Sequence, residues 1–88
     1  MTSMPSLQLL IIDDEPAIRQ ILSKVATDAG HTVSIAADGE EGMARLAKGD
    51  IDVALCDIRM PDISGIEVVE KARQQGIDTL FLMMTAYA

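Results

Sequence analysis

The 88-residue sequence has no tryptophan, a single tyrosine, a single phenylalanine, a single cysteine and a single histidine. With aromatics at 2% and apolar residues at 49%, an interior must be built from Leu, Ile, Val, Ala and the six methionines rather than from rings. One cysteine, Cys56, excludes a disulfide within the chain, and its place in an apolar run reads as a buried structural thiol. Basic residues are also scarce, 7 against 14 acidic, for a formal net charge of −7. Binding to a phosphate backbone needs clustered Lys and Arg that displace counterions, so direct DNA or RNA contact is not expected from this segment. The stretch Met1 to Ser6 carries no basic residue and no long apolar segment follows it. Neither a secretory signal nor a membrane span is expected, and a cytoplasmic location follows by default. The length suits one domain, residues 1–88, near the low end of the usual size range.

What is present is an alternation of strand-like and helix-like patterns, with no repeats and no low-complexity tract. Leu7 to Ile12 is a short, nearly continuous apolar run, as in a strand buried on both faces of a parallel sheet. Pro16 stands where a first helical turn tolerates it, after Asp14 or Glu15 as N-cap. Ile18, Ile21, Leu22, Val25 and Ala29 then lay an apolar stripe along a helix that Gly30 closes. Val33 and Ile35 alternate with polar neighbours, which suggests an exposed edge strand opened by a solvated His31. Asp38 and Gly39 turn the chain into a short helix with Met43, Leu46 and Ala47 inward. A third strand runs from Ile51 to Asp57, and Ser64 caps a helix expected to bury Ile66, Val69 and Ala72. Leu80 to Met84 form a fourth strand, with Met83 and Met84 expected in the core.

The order βαβαβαβ implies an α/β doubly wound parallel sheet, since crossovers between parallel strands are right-handed in about 98% of cases. If the exposed second strand lies outside the first, the sheet order is 2-1-3-4 and the winding reverses between strands 1 and 3. Ligands of open α/β sheets bind at the carboxyl ends of the strands at such a switch point. Asp13 and Asp14 end the first strand and Asp57 ends the third. At ~4 Å and an effective dielectric near 20, each contact between carboxylates costs roughly 4 kcal/mol, which a cation or protonation must relieve. Hard oxygen donors with no His or Cys neighbour in a ligand spacing favour Mg²⁺ over zinc. A carboxylate beside such a cation can attack a phosphodonor in line and form an acyl phosphate, and Asp57 is the candidate nucleophile.

Together, LLIIDDEP, VALCDIRMPDISGIE and LFLMMTAYA make the chain resemble the receiver domain of two-component response regulators, in the family's order and spacing. The resemblance implies a flavodoxin-like fold. It implies Asp57 as phosphoacceptor, Asp14 as a direct Mg²⁺ ligand, Asp13 holding a metal-bound water, and the backbone carbonyl of Arg59 as a further ligand. It also implies Thr85 as the switch hydroxyl, with Ala86 contributing a backbone N–H, and places Arg59 and Tyr87 where they tune phosphoryl lifetime. The implied partner is a histidine kinase or phosphotransfer protein, and the module is a switch rather than a turnover enzyme. The TAYA ending also resembles receivers of enhancer-binding transcription activators. Family receivers continue through a fourth helix, a fifth strand ending in a lysine, and a fifth helix. The expectation here is a chain truncated after the fourth strand, lacking that final helix-strand-helix. Lys24, Lys48 and Lys71 fall on predicted helices and do not correspond to the family lysine. An uncovered fourth strand would present an apolar edge, which predicts a homodimer through that edge. The alternative function is therefore a dimerisation or interaction module without phosphoryl chemistry. A flavin-binding protein is disfavoured because Asp13, Asp14 and Glu15 would repel a phosphate. A metal-dependent phosphatase using a strand-end Asp nucleophile is also disfavoured.

Overall fold

Apolar runs of five residues separated by amphipathic segments are too short to bury themselves and must pair side by side. A computed structural model describes residues 5–84. In chain order its elements are β1 (Gln8–Ile12), α1 (Pro16–Asp28), β2 (Thr32–Ala36), α2 (Gly39–Leu46), β3 (Val53–Asp57), α3 (Gly65–Gln74) and β4 (Leu80–Met84). The four strands form one parallel sheet in the order β2-β1-β3-β4, as the alternation of elements predicts. β1 is central and almost wholly buried, while β2 and β4 lie at the edges among the described residues. No helix among these residues is long and apolar enough to cross a membrane.

The core lies on one face of the sheet, between the strands and α2 and α3. Leu10, Ile12, Ala36, Ala54 and Cys56 meet Leu46, Ile51 and Val68, with Met43, Met60, Ile63, Ile77 and Phe81 around them. The α3 stripe differs from the one expected. Val68 and Ala72 are buried with Gly65, whereas Ile66 is 49% exposed. The helix begins at Gly65 and turns residues 65, 68 and 72 inward, a phase set by the seating of Gly65 on the strand end rather than by the bulkiest side chains. Met83 is likewise half-exposed rather than core, because β4 is an edge strand. On the opposite face α1 packs over β1 and β2, and no residue of α1 itself is fully buried.

Local chemistry sets the ends. Pro16 opens α1 after Glu15, which gives no side-chain cap; instead Asp13 Oδ1 accepts from the N–H of Glu15 at 2.9 Å. Gly30 adopts φ of 96°, the left-handed turn that ends α1. Asp38 and Ser64 cap α2 and α3, accepting from Glu41 N at 2.8 Å and Glu67 N at 3.2 Å. His31 is not simply solvated: its Nδ1 accepts from Leu7 N at 3.1 Å and ties the entry of β1 to β2.

Candidate functional site

The register of β1 on β3 pairs Ile12 with Cys56, so the next residues, Asp13 and Asp57, stand abreast at the sheet's carboxyl end. This is the switch point, because α1 leads from β1 to β2 on one side while β3 lies on the other. Asp13, Asp14 and Asp57 bring carboxylate oxygens within 4.8 Å of one another. Asp13 and Asp57 are buried and Asp14 is exposed, so the cluster has two walls and an open side.

Each buried acid is oriented by a backbone donor from the loop that follows it. Asp13 Oδ1 accepts from Glu15 N, and Asp57 Oδ1 accepts from Arg59 N at 3.2 Å. Burial pushes the Asp13 carboxyl above the ordinary carboxylate range; the Glu15 N–H opposes this, the charges of Asp57 and Asp14 add to it, and Arg19 pulls it down. Arg19 is anchored there, donating from Nη1 to the carbonyl oxygen of Asp13 at 2.8 Å. The neighbouring Cys56 is sealed in the core, where burial pushes its thiol up to about 12, with Asp57 and Asp13 adding to the rise. It is a structural thiol, not a soft ligand. Carboxylate oxygens on an open-sided cleft fit a hard divalent cation that keeps part of its water shell.

The sequence-predicted acids Asp13, Asp14 and Asp57 are thus brought together, and Arg59 stands two residues beyond, bonded through its N–H to Asp57. Thr85, Ala86 and Tyr87 lie outside the described residues. The Asp62 carboxylate reaches α2, where Oδ1 accepts from Gly39 N at 3.1 Å and Oδ2 from Glu40 N at 2.9 Å. The available signal was indirect: Asp38 caps only one of the free N–H groups of the first turn of α2 and leaves others in need of an acceptor.

An open parallel α/β sheet with acids grouped at its switch point defines a doubly wound domain with a candidate cation site. The chain belongs to the response regulator receiver domain family, whose sequence model matches residues 9–88. It is 38% identical over 79 residues to the transcriptional regulatory protein TcrA of Mycobacterium tuberculosis, covering 90% of this chain and 31% of that protein. With the transcriptional regulatory protein DltR of Streptococcus agalactiae it shares 32% over 80 residues, 91% of this chain and 36% of that one. The chain therefore spans about a third of the length of these curated relatives. Among solved structures it superposes on the Vibrio cholerae chemotaxis protein CheY4 with a TM-score of 0.88 at 37% identity, covering 96% of this chain and 72% of that one. It matches the Thermotoga maritima response regulator TrrA, solved in complex with Mg²⁺-BeF, with a TM-score of 0.86 at 35% identity, covering 93% and 71%. TrrA has also been solved in complex with the histidine kinase ThkA.

Proposed function

We propose that residues 1–88 form a receiver unit that accepts a phosphoryl group on Asp57 in a Mg²⁺-dependent reaction and acts as a two-component switch. The grouping of Asp13, Asp14 and Asp57 within 4.8 Å at the ends of β1 and β3 is the observation that carries this reading. Asp14, exposed at the mouth, would ligate the cation directly, Asp13 would hold it through a water, and the Arg59 carbonyl and one Asp57 oxygen would complete the protein's share. When bound, Mg²⁺ supplies positive charge that offsets the repulsion between the acids and the incoming phosphoryl oxygens. The other Asp57 oxygen attacks phosphorus in line. A new P–O bond forms to Asp57, the donor's P–O or P–N bond breaks, and the leaving group departs with the electron pair. By the family resemblance, Thr85 supplies the hydroxyl that bonds the transferred group. The donor is a histidine kinase or phosphotransfer protein, supported by the kinase complex of TrrA. The product is a switched state rather than a released compound, so the unit is not a turnover enzyme.

Intact-mass measurement after incubation with Mg²⁺ and acetyl phosphate tests this directly. One added phosphoryl group in the wild type and none in Asp57→Asn is the expected result. No gain, under conditions that phosphorylate a complete receiver, removes the reading.

A second reading is favoured by the edge of the sheet. β4 pairs only with β3 among the described residues, and Leu80 and Leu82 are 57% and 48% exposed. Pairing of β4 with β4 of a second copy would satisfy its free backbone groups and cover these leucines, making the chain a dimerisation module. Sedimentation equilibrium at micromolar concentration decides it: a monomer eliminates this reading, and a dimer that Leu82→Lys dissociates supports it.

A further inference from the structure

Between β3 and α3 the chain runs through residues 58–64, which carry the Arg59 carbonyl assigned above to the cation. Backbone bonds hold the two ends of this segment. Ile58 N donates to Met84 O at 3.0 Å, and Gly65 N donates to Ile58 O at 2.8 Å. The middle is held differently. Asp62 spans across to α2 and accepts from two successive N–H groups, those of Gly39 and Glu40. These first-turn donors have no carbonyl partner within the helix, and the helix dipole favours a negative charge there.

Steric contact at the same point is independent of the hydrogen bonds. A Cβ at position 39 would overlap Cγ1 of Ile63 and lie 2.8 Å from its Cδ1 and 3.2 Å from Cγ2 of Val68. A side chain at position 39 would force Ile63 to shift, so glycine lets the Asp62–Ile63 pair seat as it does on the start of α2. The helix therefore has two caps of different kinds. Asp38 binds Glu41 N from the helix's own chain end, and Asp62 binds from the loop of the phosphoacceptor strand.

We propose that Asp62, seated on Gly39, is a positioning residue for the metal and phosphoryl site, holding the 58–64 segment so that the Arg59 carbonyl faces the cation between Asp13, Asp14 and Asp57. The inference rests on the function proposed above and adds a residue to it. Without the Asp62 bonds the segment keeps the Arg59 N–H bond to Asp57 and the packing of Met60 and Ile63 but loses its tie to α2, so metal binding must supply more of the ordering of the carbonyl.

The two caps make the test selective. Mg²⁺ affinity is measured by titration calorimetry on the wild type, Asp62→Ala, Asp62→Asn and Asp38→Ala, each shown by circular dichroism to be folded at the working temperature. Asp62→Ala should bind Mg²⁺ roughly tenfold more weakly, the low end of losses when groups that orient metal ligands are removed. Asp62→Asn should fall between, because its amide oxygen keeps one acceptor while its NH₂ faces the second N–H. Asp38→Ala, which uncaps the same helix without touching the loop, should stay within about twofold of wild type in affinity while melting at a lower temperature. Equal affinity in Asp62→Ala and wild type overturns the proposal, and so do equal losses in Asp62→Ala and Asp38→Ala. If Asp62→Ala does not fold, the comparison of Asp62→Asn with Asp38→Ala has the same two outcomes. A wild type that binds no Mg²⁺ overturns the reading of the site itself, a result distinct from either.

Discussion

Gly65 rests directly against the backbone carbonyl of Asp57: a Cβ at position 65 would overlap the carbonyl oxygen, lie 3.0 Å from its carbon and 2.8 Å from Cε of Met83. The start of α3 is thus built onto the end of the strand that carries the proposed phosphoacceptor. Backbone atoms cannot swing aside as a side chain can, so Gly65→Ala should destabilise the fold by about 1–3 kcal/mol. It should also weaken phosphorylation of Asp57 beyond what the lost stability explains. Urea unfolding and the intact-mass assay, run on the same preparation, check both.

The phase of α3 predicts a contrast between two residues that the sequence would rank the other way. Val68 is fully buried, and Val68→Ala should cost roughly 2 kcal/mol through lost burial and an unfilled space. Ile66→Ala removes a larger side chain from an exposed position and should change stability by less than about 0.5 kcal/mol. Chemical denaturation of the two variants distinguishes this packing from the one in which Ile66 faces inward.

Cys56 should be inert in the folded protein. Its sulfur is buried and its thiol is pushed up to about 12, so little thiolate exists near neutrality. Labelling with iodoacetamide at mildly alkaline pH should proceed only after unfolding, and should be read by mass with and without urea. Rapid labelling of the native chain would contradict the buried placement.

Asp62 gives a pH dependence of known sign. Burial works to raise its pKa, but the N–H groups of Ile63, Gly39 and Glu40 outweigh it and hold the carboxyl below the ordinary range. A carboxyl with a depressed folded-state pKa contributes stability above its unfolded value, and that stability is lost as pH falls through the folded one. Between about pH 6 and about pH 3 the wild type should therefore lose more stability than Asp62→Asn, which has no proton to take up there. Urea midpoints at the two pH values measure the difference.

The acidic cluster predicts opposite effects of one substitution with and without metal. Asp13→Asn removes a buried charge that Asp57 and Asp14 oppose, and its amide oxygen can keep the bond from Glu15 N. Without Mg²⁺ the variant should be more stable than wild type near neutral pH. With Mg²⁺ at ten times the wild-type dissociation constant, wild type should gain about 1.4 kcal/mol and the variant less. Thermal unfolding in the two buffers reports both.

Much of this was legible in the chain before folding. Leu7–Ile12 and Ile51–Asp57 read as buried parallel strands because they are apolar without alternation, and acids at their ends must emerge at one edge once the strands lie parallel. The glycines and caps marked element ends because positive φ and free N–H groups are local needs met by local residues.

What resisted reading depended on neighbours distant in sequence. The helical period of α3 admitted either Ile66 or Val68 inward, and the seating of Gly65 on Asp57 decided between them. The bonds from Asp62 to Gly39 and Glu40 cross more than twenty residues of chain, and nothing in the composition of the 58–64 segment announces that α2 starts beside it. His31 Nδ1 on Leu7 N is a contact of the same kind. The sequence by itself determined the elements, their order and the edge of the sheet to which the acids belong, because periodicity and strand-end position are properties of short stretches. The tertiary structure alone decided which helix face is buried, how closely the acids approach and which loop caps which helix, because those depend on packing between segments whose local patterns are silent about one another.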